Sequence, residues 1–308
     1  MRRLKLRELR ILTTVAQTGS MGKAAAHLSL SQPAVSKAVA EMEHTLGVAL
    51  LDRAPHGVQP TPYGRALLKW AAAVFDDLSQ AVREIESLTD PAGGEVRIGS
   101  HEVTSVALLP AVIDRLSRRF PRMVFSVKQA ATIPSLYVDL RERRIDFIFG
   151  RMMTPIEHED LVAEILFGDP LVIVAGTRSK WLRRRRIDLA ELVDEAWCLM
   201  PDDLPIAPFV AEAFRSSGLK RPRVSVRANA PHLFYAMART GRFLTVAEVS
   251  TVLLNGKRLG LSPLPIKLTI QPGPIGIVTL RNRTISPCAQ QFIDGAREFV
   301  RALARQVQ

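Results

Sequence analysis

Leu9, Leu12 and Ala16 recur at helical spacing up to Gly19, so the chain opens on a short amphipathic helix and its stop. Ser20 is placed to cap a second helix, in which Ala24, Ala25 and Leu28 make an apolar face of small residues. After the break Ser29-Leu30-Ser31 a third helix begins, with Ser31 or Gln32 as cap and Pro33 in the first turn, where a missing N–H costs little. At about 100° per residue, Val35, Val39, Met42 and Leu46 share one side of this helix. Pro33, Lys37, Ala40 and His44 share the other, with Ser36 flanking them. On an isolated helix the second set reads as a solvated face. As the third of three short helices with a tight turn before it, the same face reads as one that enters a DNA major groove. Ser, Gln and Lys can bond base edges or phosphates there, while Pro and Ala permit close approach and can meet a thymine methyl.

Gly47 stops the third helix, and VALLDR, APHG and VQPT then predict two short strands around a turn, a wing with Arg53 and His56 near its tip. Thr61-Pro62 is a cap and first turn for a fourth helix. In it Leu67, Ala71, Val74, Leu78, Ala81, Ile85 and Leu88 alternate spacings of four and three, the pattern of a two-helix seam, which predicts a dimer. Packing of that stripe on the chain's own body is the alternative. Residues 89–94, TDPAGG, end the helix in a short hinge. Strand and helix patterns alternate from Glu95 onward, as in a parallel α/β sheet. A break at Gly168-Asp169-Pro170 marks a crossing into a second α/β lobe, and GPIGIVTLR with the helix from Pro287 to Arg305 returns to the first. Ligands of open α/β sheets bind at the carboxyl ends of strands, so two such lobes define a cleft.

The division is therefore 1–61 for a winged helix-turn-helix, 62–90 for a linker and dimerisation helix, and 93–308 for a two-lobed region, which the resemblance given below makes the effector-binding domain. Within the last, one lobe takes about 93–167 and 268–308, and the other about 168–267. Charge changes this picture little. The chain is formally +12, but residues 1–92 hold 11 Lys+Arg against 9 Asp+Glu, so the excess lies mostly outside the DNA-reading segment. The Arg run at 183–186 reads as a solvated loop that can also attract DNA non-specifically. Two cysteines, Cys198 and Cys288, form no disulfide framework and sit in no CxxC or metal spacing. With no signal-peptide core and no long apolar run, the expected location is cytoplasmic and no membrane partner is expected. His101-Glu102 lacks the second histidine of an HExxH helix, and there is no GxSxG, phosphate loop or dinucleotide fingerprint, so neither metal, cofactor nor catalysis is expected.

GSMGKAAAHLSLSQPAVSKAVAEMEHTLGVALLDR followed by GVQPTPYG resembles the amino-terminal domain of LysR-type transcriptional regulators, and RIG, LLP, IDFIFGR and the SP…FI pair continue the likeness through the chain. Within that family it is most similar to regulators of the galactose-binding-protein type. The resemblance implies an N-terminal winged helix-turn-helix, a long linker helix and a two-lobed, periplasmic-binding-protein-like α/β effector domain. It implies a sequence-specific regulator that binds double-stranded DNA as homodimers or homotetramers, takes a small-molecule co-inducer between the lobes, and has RNA polymerase as a candidate further partner. Carried over by residue, DNA contacts fall on Ser31, Gln32, Pro33, Ser36, Lys37 and Arg53. Effector contacts fall on Ser100, Glu102, Thr132 and Arg151, faced by Pro205 and Ile206. An ionised Glu102 would repel a carboxylate and favour a neutral polyol or sugar, whereas Arg151 would attract an acid. A salt bridge between the two is the structural alternative. The rival classes are a solute-binding or enzymatic α/β protein with an appended helical dimerisation module, and a redox sensor using Cys198 and Cys288.

Overall fold

The computed structural model describes residues 4–54, 57–89, 93–153, 155–204, 206–268 and 272–307, except the side chains of 53–54, 83–84, 87–89, 102–103 and 307. It divides into two compact units, residues 1–82 and 83–308.

In the first unit, α1 (Leu6–Thr18) ends at Gly19, whose φ of 65° is the left-handed turn that only glycine adopts without strain, with its N–H donated to Val15 O. Helix α2 (Met21–His27) is capped by Ser20 Oγ, which accepts from Lys23 N–H. Helix α3 (Gln32–Leu46) is capped by Ser31 Oγ, accepting from Ala34 N–H, and ends at Gly47. The three helices close on one core in which Leu12, Val15, Ala24, Val35, Val39 and Met42 are buried. Fully burying a large apolar side chain stabilises by about 1.5–3 kcal/mol, which offsets the marginal helicity of segments this short.

Strands β1 (Leu51–Ala54) and β2 (Gly57–Pro60) pair antiparallel, Leu51 opposite Pro60. Val58 N–H donates to Gly19 O at 2.9 Å. A Cβ at Gly57 would lie 2.1 Å from that same oxygen, so the wing reaches the end of α1 only with glycine there. Glu43 of α3 accepts from Leu50 and Leu51 N–H at 2.7 and 3.2 Å, which fastens the wing to the third helix. Thr61 Oγ1 caps the long helix α4 (Pro62–Thr89) by accepting from Gly64 N–H.

The second unit holds two five-stranded sheets. Its elements are β3 (Gly93–His101), α5 (Glu102–Val106), α6 (Leu108–Arg119), β4 (Arg122–Ala130), α7 (Tyr137–Arg141), β5 (Phe147–Arg151), β6 (Leu161–Phe167), β7 (Leu171–Gly176) and β8 (Trp197–Leu199). There follow α8 (Ala207–Ser216), β9 (Val224–Arg227), α9 (Pro231–Arg239), β10 (Leu244–Glu248), α10 (Val249–Leu259), β11 (Leu261–Pro263), β12 (Ile275–Leu280) and α11 (Pro287–Val307). One sheet has the order β4-β3-β5-β12-β6 and the other β11-β7-β10-β8-β9. The chain passes from the first to the second between β6 and β7 and returns between β11 and β12.

The parallel arrangement expected from the alternating pattern holds for β3, β4 and β5, and the crossings add antiparallel strands to it. Strands β3, β4 and β5 are parallel, but β12 runs antiparallel to both β5 and β6, and β7 antiparallel to β10. A strand delivered from the other lobe enters its sheet from the opposite end to one delivered by a crossover helix, so both sheets are mixed. Separate cores pack on them: Phe147, Phe149 and Phe292 anchor one on the first sheet, and Trp197 stacked edge-on against Phe214 anchors one on the second.

Candidate functional site

Two surfaces concentrate the chemistry. On α3, Val35, Val39 and Met42 face the core, so the geometry of the helix turns Ser31, Gln32, Pro33, Ser36 and Lys37 outward, and all five are exposed. Ser31 spends one lone pair on the cap and keeps its hydroxyl proton. Lys37 Nζ lies 3.9 Å from Glu41, an exposed pair that a phosphate can replace. Four of the five belong to the first turn and a half of the helix, with Ser31 as cap, where the free N–H groups and the positive end of the helix dipole also lie. Arg53 is paired through its backbone with Val58 in the wing; its side chain, and His56 altogether, lie outside the described residues.

The stripe on α4 divides. Leu67 packs on the winged-helix core and Ala71 is buried, whereas Val74, Leu78 and Ile85, continuing the same spacing, are exposed, Ile85 at 63%. Trp70 is also exposed, at 68%. Leu88 has no described side chain.

Between the two lobes of the second unit lies a cavity of about 290 Å³. Thr132 lines it from the loop after β4, and Ile206 from the start of α8. Pro205 and the Glu102 side chain lie outside the described residues. Ser100 corrects its expectation: it is fully buried, does not line the cavity, and donates its hydroxyl to Phe149 O at 2.8 Å. Side chains alternate along a strand, so placing His101 at the cavity turns Ser100 away from it. His101 Nδ1 meets Thr104 Oγ1 at 3.0 Å, and burial, reinforced by the charge of Arg151, lowers its pKa to about 3, so the ring is neutral. Gly150 makes room for that ring: a Cβ there would sit 2.9 Å from His101 Nδ1 and 2.7 Å from Ile133 Cδ1.

Arg151 touches the cavity wall but is only 1% exposed, and its guanidinium is already engaged. Nη1 donates to Gly273 O at 2.7 Å and Nη2 to Asp169 O at 2.8 Å. The carboxylates of Asp169 and Glu248 lie 3.8 and 3.7 Å from Nη2. These partners sit on both crossings between the lobes and at the end of β10. The expected alternative of a pair with Glu102 lies outside the described residues; within them Arg151 belongs to a buried cluster where the chain crosses between the lobes. Burial raises the pKa of both Asp169 and Glu248, against the opposing pull of Arg151; Asp169 also accepts from Ser250 N–H and Oγ–H at 3.0 and 2.6 Å.

The rest of the wall is apolar: Ile133, Pro134, Tyr137, Met152, Met153, Met200 and Leu204, with Asn229 as a further polar member. Sequence reasoning missed these. The signal was present, since Met152-Met153 directly follow β5, Met200 directly follows β8 and Asn229 closely follows β9, at the strand ends where cleft residues are expected. The thiols are no redox pair by placement. Cys198 is buried on strand β8 of the second sheet with its pKa raised to about 11 by burial, and Cys288 belongs to the first-sheet core, donating to Gly93 O. Arg183 to Arg186 are exposed. Among the described residues there is no cluster of potential metal ligands, and no helix is long and apolar enough to cross a membrane.

A winged helix-turn-helix with a polar reading face, a helix bearing an exposed seam and a two-lobed α/β unit closing on a cavity define a DNA-binding regulator of the kind that carries its own ligand-sensing domain. Residues 6–65 match the family described as "Bacterial regulatory helix-turn-helix protein, lysR family", and residues 89–301 match "LysR substrate binding domain". The chain belongs to the LysR family and is a DNA-binding transcription regulator of that type. It is 28% identical over 296 residues to the HTH-type transcriptional regulator GbpR of Azospirillum brasilense, covering 96% of this chain and 86% of that protein. It is 25% identical to the regulator TdcA of Escherichia coli K12, over 96% of this chain and 93% of that one. Identities this close to each other do not single out the galactose-binding-protein branch. In fold it is similar to a full-length OxyR variant from Pseudomonas aeruginosa, with TM-score 0.65, 21% identity and coverage of 98% and 96% of the two chains. It is likewise similar to full-length CbnR in complex with its target DNA, with TM-score 0.64, 19% identity and coverage of 96% and 99%.

Proposed function

We propose that this regulator reads its operator with Ser31, Gln32, Pro33, Ser36 and Lys37, supported by Arg53 in the wing, and answers a small co-inducer held between the two lobes. The observation that carries the sensing part is the cavity itself, which receives Thr132 from one lobe and Ile206 from the other and is hinged at Arg151. A ligand that touches both walls favours one closure of the lobes over others, and only that difference in affinity can shift the equilibrium. The exposed apolar stripe on α4 supports a homodimer through that helix, with tetramers built on it, so that lobe closure alters how paired winged helices meet the DNA. The protein acts by binding rather than catalysis, in the cytoplasm, and RNA polymerase is the partner through which an altered complex would act. CbnR's solved complex with target DNA supports the double-stranded partner.

The full-length protein can select its own site from a random duplex library. Gln32→Ala and Ser36→Ala are each expected to lose about 1–3 kcal/mol per lost base contact on the selected site while largely keeping affinity for scrambled duplex. Equal loss on both duplexes would show that these residues do not read bases.

A further inference from the structure

The cavity wall is also informative about what it receives, on the reading above that it is the co-inducer site. Three methionines, Met152, Met153 and Met200, meet there from the ends of two strands in different lobes, beside Tyr137, Ile133 and Ile206. Methionine is unbranched and polarizable, fills irregular space, and makes favourable sulfur contacts with aromatic rings. A sugar carries a hydroxyl on nearly every carbon, and an apolar wall of this kind would leave most of them without partners.

Charge narrows the class further. Among the described lining residues Arg151 is the only cation, and it is 1% exposed and already faces two carboxyl groups within 4 Å of Nη2, while Nη1 and Nη2 each donate to a main-chain carbonyl. A carboxylate in the cavity would lose its hydration and meet only a buried cation already faced by two carboxyl groups. His101 is neutral at physiological pH and cannot supply one. The neutral imidazole, the Thr132 hydroxyl and the Asn229 amide are few polar groups in a largely apolar wall, enough for one compact polar group but not for the row of hydroxyls on a sugar. Cavities of roughly 150 Å³ take one benzene ring; at about 290 Å³ this one has room for a ring or fused pair with a short substituent.

We infer that the regulator senses a compact, uncharged aromatic molecule bearing one polar group, its ring held by the methionines and its polar end by His101 and Thr132. This replaces both the sugar and the acid expected from Glu102 and Arg151.

The test is titration calorimetry on the full-length protein with matched pairs: acetophenone and 2-acetylnaphthalene against benzoate and 2-naphthoate, with D-galactose as the polyol. At least one ketone is expected to bind tenfold or more tighter than its carboxylate partner, and galactose to give no heat. Ile206→Trp, which fills the cavity from its second-lobe side, should abolish ketone binding while leaving the melting temperature within a few degrees. If a carboxylate or galactose binds better than the ketones and Ile206→Trp removes that binding, the ligand class is wrong and the cavity reading stands. If neither ketone binds at millimolar concentration, the class is likewise overturned. If binding persists undiminished in a folded Ile206→Trp protein, the cavity reading itself is overturned, and the inference with it.

Discussion

Replacing Arg151 by Met keeps most of the side-chain volume and removes the guanidinium. Two main-chain carbonyls, Gly273 O and Asp169 O, then lose their donors, and Asp169 and Glu248 lose the one cation within 4 Å of them in the described structure. Removing one partner of a buried charged cluster costs about 3–5 kcal/mol. For a unit of this size each kcal/mol lowers Tm by about 2–4 °C, so a fall of about 6–20 °C is expected at neutral pH. The pH dependence gives a sharper check. Both carboxyls already have raised pKa values through burial; Arg151 is the main opposing influence on Glu248 and adds to the Ser250 hydrogen bonds on Asp169, so its loss moves both further up. A carboxyl whose folded pKa exceeds its unfolded one costs no stability below the unfolded value, and an increasing amount as pH climbs toward the folded value. The deficit of Arg151→Met relative to wild type should therefore grow with pH, by about 1.4 kcal/mol per unit for each carboxyl that the variant keeps protonated and wild type has ionised. Calorimetric or fluorescence-monitored melting of both proteins at about pH 5 and about pH 7 reads this directly. A Tm loss below about 2 °C, or a deficit equal at the two pH values, refutes the account of Arg151 as the charge centre of the hinge.

Lys37→Ala should weaken binding to selected and scrambled duplex alike and reduce the slope of log K against log salt by about 1, measured by fluorescence anisotropy; an unchanged slope would remove Lys37 from the phosphate contacts. Leu78→Glu, in the exposed part of the α4 stripe, should shift sedimentation equilibrium toward monomer without lowering the helical content of the chain; a dimer unaffected by this change places the interface elsewhere. With its pKa raised to about 11, Cys198 should resist iodoacetamide at neutral pH while the protein is folded, and Cys198→Ser should leave DNA binding unchanged. Rapid alkylation of native protein would mean that its burial is misjudged.

Much of the fold could be read because local signals agreed with tertiary ones. Ser20, Ser31 and Thr61 are caps and Gly19 and Gly47 stops in the sequence, and each does that work in the structure. Helix α5 went unread because five residues carry no period, and α10 because its Val-Ser-Thr-Val opening favours a strand and Gly256 interrupts the pattern. The DNA-reading face depends on one helix and its own periodicity, so it could be proposed from sequence. The cavity depends on ends of strands from two sheets, and no single stretch reveals it. Arg151 shows why: its partners lie 18 and 122 residues away along the chain, and nothing local distinguishes an arginine waiting for a ligand from one already satisfied.

That one guanidinium grips both passages between the lobes also bears on how such a sensor can diversify. On the proposed function, joint and selector would be nearly separate parts: a buried knot of Arg151 with Asp169, Gly273 and Glu248 at the crossings, and cavity-lining side chains that lie beyond the strands. On that reading, exchanging Met153, Met200 or Leu204 would retune the ligand while leaving the Arg151 cluster intact. The reverse does not hold, for a change at Arg151 would alter the response to every ligand at once.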